Sequence, residues 1–253
     1  MVEAFAVASG KGGTGKTTCT LALGMALADD YDVTVVDADT GMANLLFHAG
    51  LADAETTLQD VLMGGAEIEA ATYDRFGMSV VPCGTSLDSF EAADPDRLRD
   101  VVADLAAATD VILLDSPATL SSKRAVLPIV LADRVVVVLN PTVPAVSNGL
   151  KVQEYALSYG SEIAGTVFNR VQGDVSEILD TAGQHFRGPH LAAVPESDAA
   201  RAARSAGVPL LEHAPDSAAA EAYREAAAGL DPRSGDSEDV AERFRTAVIP
   251  DPP

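Results

Sequence analysis

Lysine is nearly missing from this chain. Four occur in 253 residues, Lys11, Lys16, Lys123 and Lys151, and the first two sit close together near the start. Seventeen basic side chains face 38 acidic ones, for a formal net charge of -21. No run of Lys and Arg is present, which argues against the clustered phosphate contacts that nonspecific DNA binding draws on. An acidic, lysine-poor surface suits a protein that stays soluble in concentrated salt, where screening blunts self-repulsion; a halophilic setting is the expectation. The two cysteines, Cys19 and Cys83, form no C-x-x-C pair. His48, His185, His190 and His213 show no ligand spacing, so neither a zinc site nor a dithiol redox motif is readable. No apolar stretch approaches the ~18 residues of a membrane span. The opening Met1-Val2-Glu3 is acidic and its apolar run short, so no secretory leader is expected, and a cytoplasmic location follows.

What is present is 47% hydrophobic content, enough for one large α/β domain, and a glycine-rich stretch around which the chain is organised. Val7-Ala8-Ser9-Gly10-Lys11-Gly12-Gly13-Thr14-Gly15-Lys16-Thr17-Thr18 follows an apolar run and precedes a helix-like stretch, Thr18 to Leu27. Strand, glycine loop, helix is the context a phosphate-binding loop needs, and Gly10, Gly15, Lys16 and Thr17 complete G-x-x-x-x-G-K-[ST]. Glycines let backbone N–H groups turn inward onto a polyphosphate, and the positive end of the following helix adds to the attraction. Lys16 is expected to reach the β- and γ-phosphates, and the Thr17 hydroxyl to ligate Mg²⁺.

Lys11 has no part in that plain pattern. K-G-G-x-G-K-T resembles the deviant Walker A loop of the MinD/ParA family of ATPases. The resemblance implies that ATP and Mg²⁺ are bound across residues 10–18, that the early lysine crosses to the nucleotide of a partner subunit, and that two copies sandwich two ATP molecules. Lys11, Lys16 and Asp39 are then the catalytic set.

Further along, Val33-Thr34-Val35-Val36-Asp37 reads as a buried strand opening into Asp37-Ala38-Asp39-Thr40-Gly41-Met42-Ala43-Asn44-Leu45. Carboxylates at i and i+2 point the same way at the carboxyl end of a parallel strand, where α/β sheets place ligand chemistry. This stretch looks like the family's D-x-D switch, which implies that Asp39 orients the attacking water and that Asp37 supports the Mg²⁺ shell; Asp39 capping a helix from Gly41 is the plain alternative. Thr57-Leu58-Gln59-Asp60-Val61-Leu62 reads as a capped short helix and resembles a segment of MinD-like members. Val111-Ile112-Leu113-Leu114-Asp115 delivers one carboxylate to the Mg²⁺ region in the Walker B manner. Ser116-Pro117-Ala118 continues as in the family's second switch, except that Thr119 stands where glycine is usual and lacks its freedom at positive φ. Asn169-Arg170 at the end of a later strand resembles the adenine-reading position, with an amide that can both donate and accept; an Asn there also serves as a cap. Pro195 opens a segment similar to the family's adenine-pocket lining.

Seven strands alternating with helices predict a doubly wound, mainly parallel sheet of the P-loop NTPase type over residues 1–230. Residues 231–253 turn acidic and Pro-containing and read as a linker and tail, disordered or one short helix over 240–249 with Val240, Phe244 and Val248 on one face. MinD-like proteins end in a basic amphipathic helix; this end has Arg243 and Arg245 against Glu238, Asp239 and Glu242 and lacks the cationic face that anchors to anionic lipid. Peripheral membrane contact is left open, a frayed tail or a docking peptide being the simpler readings. The function implied is an ATPase dimerising on ATP as a spatial-positioning switch for septum placement or similar work, with a protein partner that the sequence does not identify. A ParA-type DNA partition ATPase and a nucleotide-gated adaptor with little hydrolysis are the alternatives.

Overall fold

The computed structural model describes residues 2–120, 122–233 and 235–247. Eight strands form one sheet: β1 (Glu3–Ala8), β2 (Val33–Asp37), β3 (Tyr73–Arg75), β4 (Met78–Val81), β5 (Val111–Asp115), β6 (Arg134–Leu139), β7 (Glu162–Val171) and β8 (His190–Pro195). They lie in the order β3-β4-β2-β5-β1-β6-β7-β8. Every pairing is parallel except the β3–β4 hairpin.

Periodicity explains the layers. Along β1, Phe5 and Val7 pack into the larger core, with the Lys16–Leu27 and Ala218–Ala228 helices; Ala6 and Ala8 pack into a second core with Val146, Val152 and Phe186. β6 alternates likewise, Val136 and Val138 to one side and Val135, Val137 and Leu139 to the other. Strands covered on both faces read as unbroken apolar runs, which is why β1, β2, β5 and β6 are legible from residue types alone.

The expected seven strands become eight. The addition, β3, is a three-residue edge strand whose side chains are exposed or half-buried, so it carries no apolar signal. It returns on β4 through Phe76 (φ 54°) and Gly77 (φ 79°), a two-residue turn with both residues left-handed.

The segment after residue 230 crosses the amino edge of the sheet. Its Ser237–Thr246 helix packs against the Leu98–Leu105 helix, with Phe244 1% exposed and Ala241 7%. The expected continuation through Val248 and Ile249 lies outside the described residues. No helix among the described residues is long and apolar enough to cross a membrane.

Candidate nucleotide site

The chain reverses its direction of growth across the sheet at β1, which lies between β5 and β6. Ligand crevices of α/β sheets form at the carboxyl ends of strands beside such a point. The loop from Ser9 to Gly15 occupies that place and enters the helix at Lys16. Gly13 (φ 77°) and Gly15 (φ 93°) hold left-handed backbone. A Cβ on Gly15 would sit 2.2 Å from Asn169 Nδ2, and one on Gly10 would sit 2.5 Å from the Asn148 carbonyl oxygen. The loop is therefore pressed against its surroundings at both ends and takes glycine there for lack of room.

Ser9, just inside the loop, ties it together. Its hydroxyl accepts from Lys16 Nζ (3.2 Å) and Thr14 Oγ1 (3.1 Å) and donates to the Lys11 carbonyl (2.7 Å). Lys16 is buried, and burial lowers its pKa against the opposing pull of Asp115 and Asp39. Thr17 Oγ1 donates to Asp115 Oδ2 at 2.6 Å, and Thr20 Oγ1 to Asp115 Oδ1 at 3.1 Å. Lys11 is exposed, and among the described residues its side chain has no hydrogen-bond or ion-pair partner.

Asp37 and Asp115 end adjacent strands in direct register. Both are buried. Burial pushes the Asp115 carboxyl up to about 6, Thr17 and Lys16 notwithstanding. Burial first, then Asp115 and Asp39, drive Asp37 well above the carboxylate range. Asp37 spends its oxygens on the loop that follows: Oδ1 accepts from Asp39 N (3.2 Å) and Oδ2 from Leu45 N (3.2 Å). It holds the 37–45 stretch in place. Asp39 is half-buried and accepts from Met42 N (3.1 Å), closing a turn; the helix that follows begins only at Leu45. Among the described residues no three carboxylate, imidazole or thiol groups form a metal cage. Mg²⁺ takes one or two protein ligands and completes its shell with water and phosphate. The Thr17–Asp115 pair, beside the buried Asp37 carboxyl and with the Lys16 ammonium acting on Asp115, fits such an ion.

A cleft of about 280 Å³ opens beside Gly15. Thr18, Asn169, Arg170 and Pro195 line it, together with Tyr223, Arg201 and Arg204, which the sequence did not single out. Gly12 and Gly13 are exposed and are not among the residues that line this cleft. The signal for Tyr223 was faint: one large ring among alanines on the Ala218–Ala228 helix. Ser9 and Thr20 had no signal beyond their nearness to the loop. Thr119 is exposed and keeps an ordinary negative φ, so its backbone asks nothing of glycine there.

The comparisons with known proteins agree with this geometry. The family model described as the CobQ/CobB/MinD/ParA nucleotide binding domain matches residues 5–210. An uncharacterized ATP-binding protein of Methanocaldococcus jannaschii is 39% identical over 233 residues, 91% of this chain and 88% of that one. The septum site-determining protein MinD of Thermotoga maritima is 31% identical over 224 residues, 83% of this chain and 81% of its own. Among solved structures, MinD of Pyrococcus horikoshii OT3 complexed with Mg-ADP superposes with a TM-score of 0.83 at 33% identity, covering 91% of this chain and 96% of the other. With its glycine loop, Walker-type aspartate and doubly wound sheet, the chain belongs to the CobQ/CobB/MinD/ParA family and is a MinD-like member of it.

Proposed function

We propose that this protein is a Mg²⁺-dependent ATPase that pairs with a second copy when ATP is bound and acts as a placement switch, in septum positioning or similar work. The observation that carries the reading is the meeting of Lys16, Thr17 and Asp115 at the foot of the glycine loop, with Thr17 Oγ1 2.6 Å from Asp115 Oδ2. Thr17 and Asp115 would hold Mg²⁺, which when bound would supply positive charge against the phosphates. Lys16, already desolvated, faces the β- and γ-phosphates with little reorganisation. The loop amides of residues 10–17 cradle the phosphates, and Asp39 orients the water. Asp37 fixes the switch loop on which Asp39 rides.

The partner copy is drawn to the same edge. Lys11 is exposed on the loop at that edge, and among the described residues its side chain has no partner. Exposed Met42, Leu87 and Val143 follow the carboxyl ends of β2, β4 and β6 on that edge, 71%, 75% and 73% exposed. The MinD name of the relatives supports the placement role, and a protein partner that stimulates turnover or is itself positioned belongs to that role. The tail lends little to membrane contact: Phe244 is packed inside, and Arg243 and Arg245 pair with Asp133 and Asp104 of the body.

Light scattering behind gel filtration tests the reading. With ADP the protein runs as a monomer, with ATP and Asp39→Ala as a stable dimer, and Lys11→Ala abolishes the dimer. A monomer under ATP in the wild type and in Asp39→Ala refutes the switch; phosphate release equal in wild type and Lys16→Ala refutes the ATPase.

A further inference from the structure

The helix Lys123–Leu131 opens with two cations, Lys123 and Arg124, and no acid in its first turn. A helix N-terminus favours the opposite sign, so this placement serves something outside the helix. Arg124 reaches the far end of another helix, Leu87–Ala92. Its Nη1 donates to the Phe90 carbonyl at 2.5 Å and its Nη2 to the Ala93 carbonyl at 2.9 Å. Carbonyls at the end of a helix have no partner within it, and a basic side chain from elsewhere can supply one. The same guanidinium lies 4.3 Å from the centre of the Phe90 ring. The Leu87–Ala92 helix buries none of its own residues, so it has little apolar packing to fix it, and the grip of Arg124 takes that part.

Phe90 in turn covers Gly41. A Cβ on Gly41 would lie 3.5 Å from Phe90 Cε2 and 3.8 Å from Cζ, ordinary contact distances. Gly41 belongs to the turn that Asp39 closes by accepting from Met42 N at 3.1 Å. The turn is also held at Thr40, whose carbonyl accepts from Nε2 of buried Gln59 at 3.4 Å. The chain shortly before Arg124 meets the glycine loop: a Cβ on Gly12 would lie 3.7 Å from the Ala118 Cβ. Contacts and chain therefore join Gly12, Ala118, Arg124, Phe90 and Gly41 to Asp39. Neither Phe90 nor Arg124 lines the cleft beside Gly15.

We propose that Phe90, gripped by Arg124, is a positioning residue for Asp39, setting the 39–42 turn from the loop that follows β5. This rests on the reading of Asp39 as the residue that orients the attacking water. Its consequence is that affinity and turnover separate. The groups that face the nucleotide stay in place when the grip is lost, whereas the carboxylate that aims the water does not.

Hydrogen–deuterium exchange of the full ligand-free chain, read on peptides spanning residues 38–45, tests the placement without reference to turnover. In Phe90→Ala and in Arg124→Ala exchange there rises about threefold or more, while peptides of β1 and β5 keep the wild-type rate. The melting temperature moves by no more than about 3 °C, because no buried side chain is lost. Arg124→Lys keeps the charge but not the fork, and exchanges as Arg124→Ala does. Phosphate release then shows the split: kcat falls about tenfold in both alanine variants, with KM for ATP within about twofold of the wild type. Phe90→Leu keeps apolar bulk against Gly41 and recovers about half of the rate or more. Wild-type exchange over 38–45 in the alanine variants, full turnover in them, or wild-type behaviour of Arg124→Lys overturns the proposal. Wild-type turnover in Asp39→Ala overturns the reading of Asp39 instead, whichever way the exchange falls.

Discussion

The two edges of the sheet treat buried charge in opposite ways. At the amino edge Glu3 is buried and fully answered. Arg134 meets it with two bonds of 2.7 Å, Nε to Oε1 and Nη2 to Oε2, and Arg233 N donates to Oε2 at 2.7 Å. Arg134 also donates to the Asp231 carbonyl and lies 4.8 Å from the centre of the Phe5 ring. At the carboxyl edge Asp37 and Asp115 are equally buried but stand side by side, and among the described residues Lys16 is the ammonium that acts on Asp115. Matched charge closes a structure; mismatched charge waits for a ligand. The amino edge uses its polar groups to bind the last part of the chain, the carboxyl edge to prepare for phosphate and metal.

Four experiments break or sharpen the contrast. The largest effect belongs to the amino edge. Glu3→Ala strands a buried guanidinium and lowers urea stability by about 3–5 kcal/mol, with ATP affinity of the folded protein unchanged. Replacing Glu3 and Arg134 together by leucine recovers most of the loss. On the other edge Lys16→Ala lowers phosphate release about a hundredfold or more, yet the ligand-free protein melts no lower, because a desolvated cation has been removed.

The third is a pH response. Asp115 has a folded value near 6, above its unfolded one. Its contribution to the stability of the ligand-free protein is present below the unfolded value and is lost as pH rises through about 6. Mg²⁺ requires the ionised form, so Mg·ATP affinity runs the other way and falls about tenfold between pH 7 and pH 5. Calorimetric titration at both values, set beside melting of the free protein, reads both slopes. The smallest effect is Arg245→Ala. That half-exposed pair with Asp104, 3.3 Å apart, is worth less than about 1 kcal/mol, and salt titration of its melting point shows it.

Legibility in the sequence followed locality. The glycine loop, Asp37 with Asp39, and Asp115 could be read as candidates because each lies within one strand and the turn after it. The bond from Tyr223 to Asn169 could not, since 54 residues separate them and neither residue type announces the other. The stripe of Val240 and Phe244 was visible as helical spacing, but spacing does not say which surface a face covers; here it is the Leu98–Leu105 helix. The same applies to Glu3 and Arg134, whose pairing depends on β1 and β6 being neighbours. The strand missed altogether, β3, was missed because it lies at the rim and buries almost nothing.

That rim strand also governs how copies can meet. Tyr73-Asp74-Arg75 is three residues long, carries both signs of charge and turns back at once. A border so short and so charged gives an incoming strand no template to continue the ladder. End-to-end growth into fibres is thereby discouraged on that flank, whatever the loops at the other faces hold.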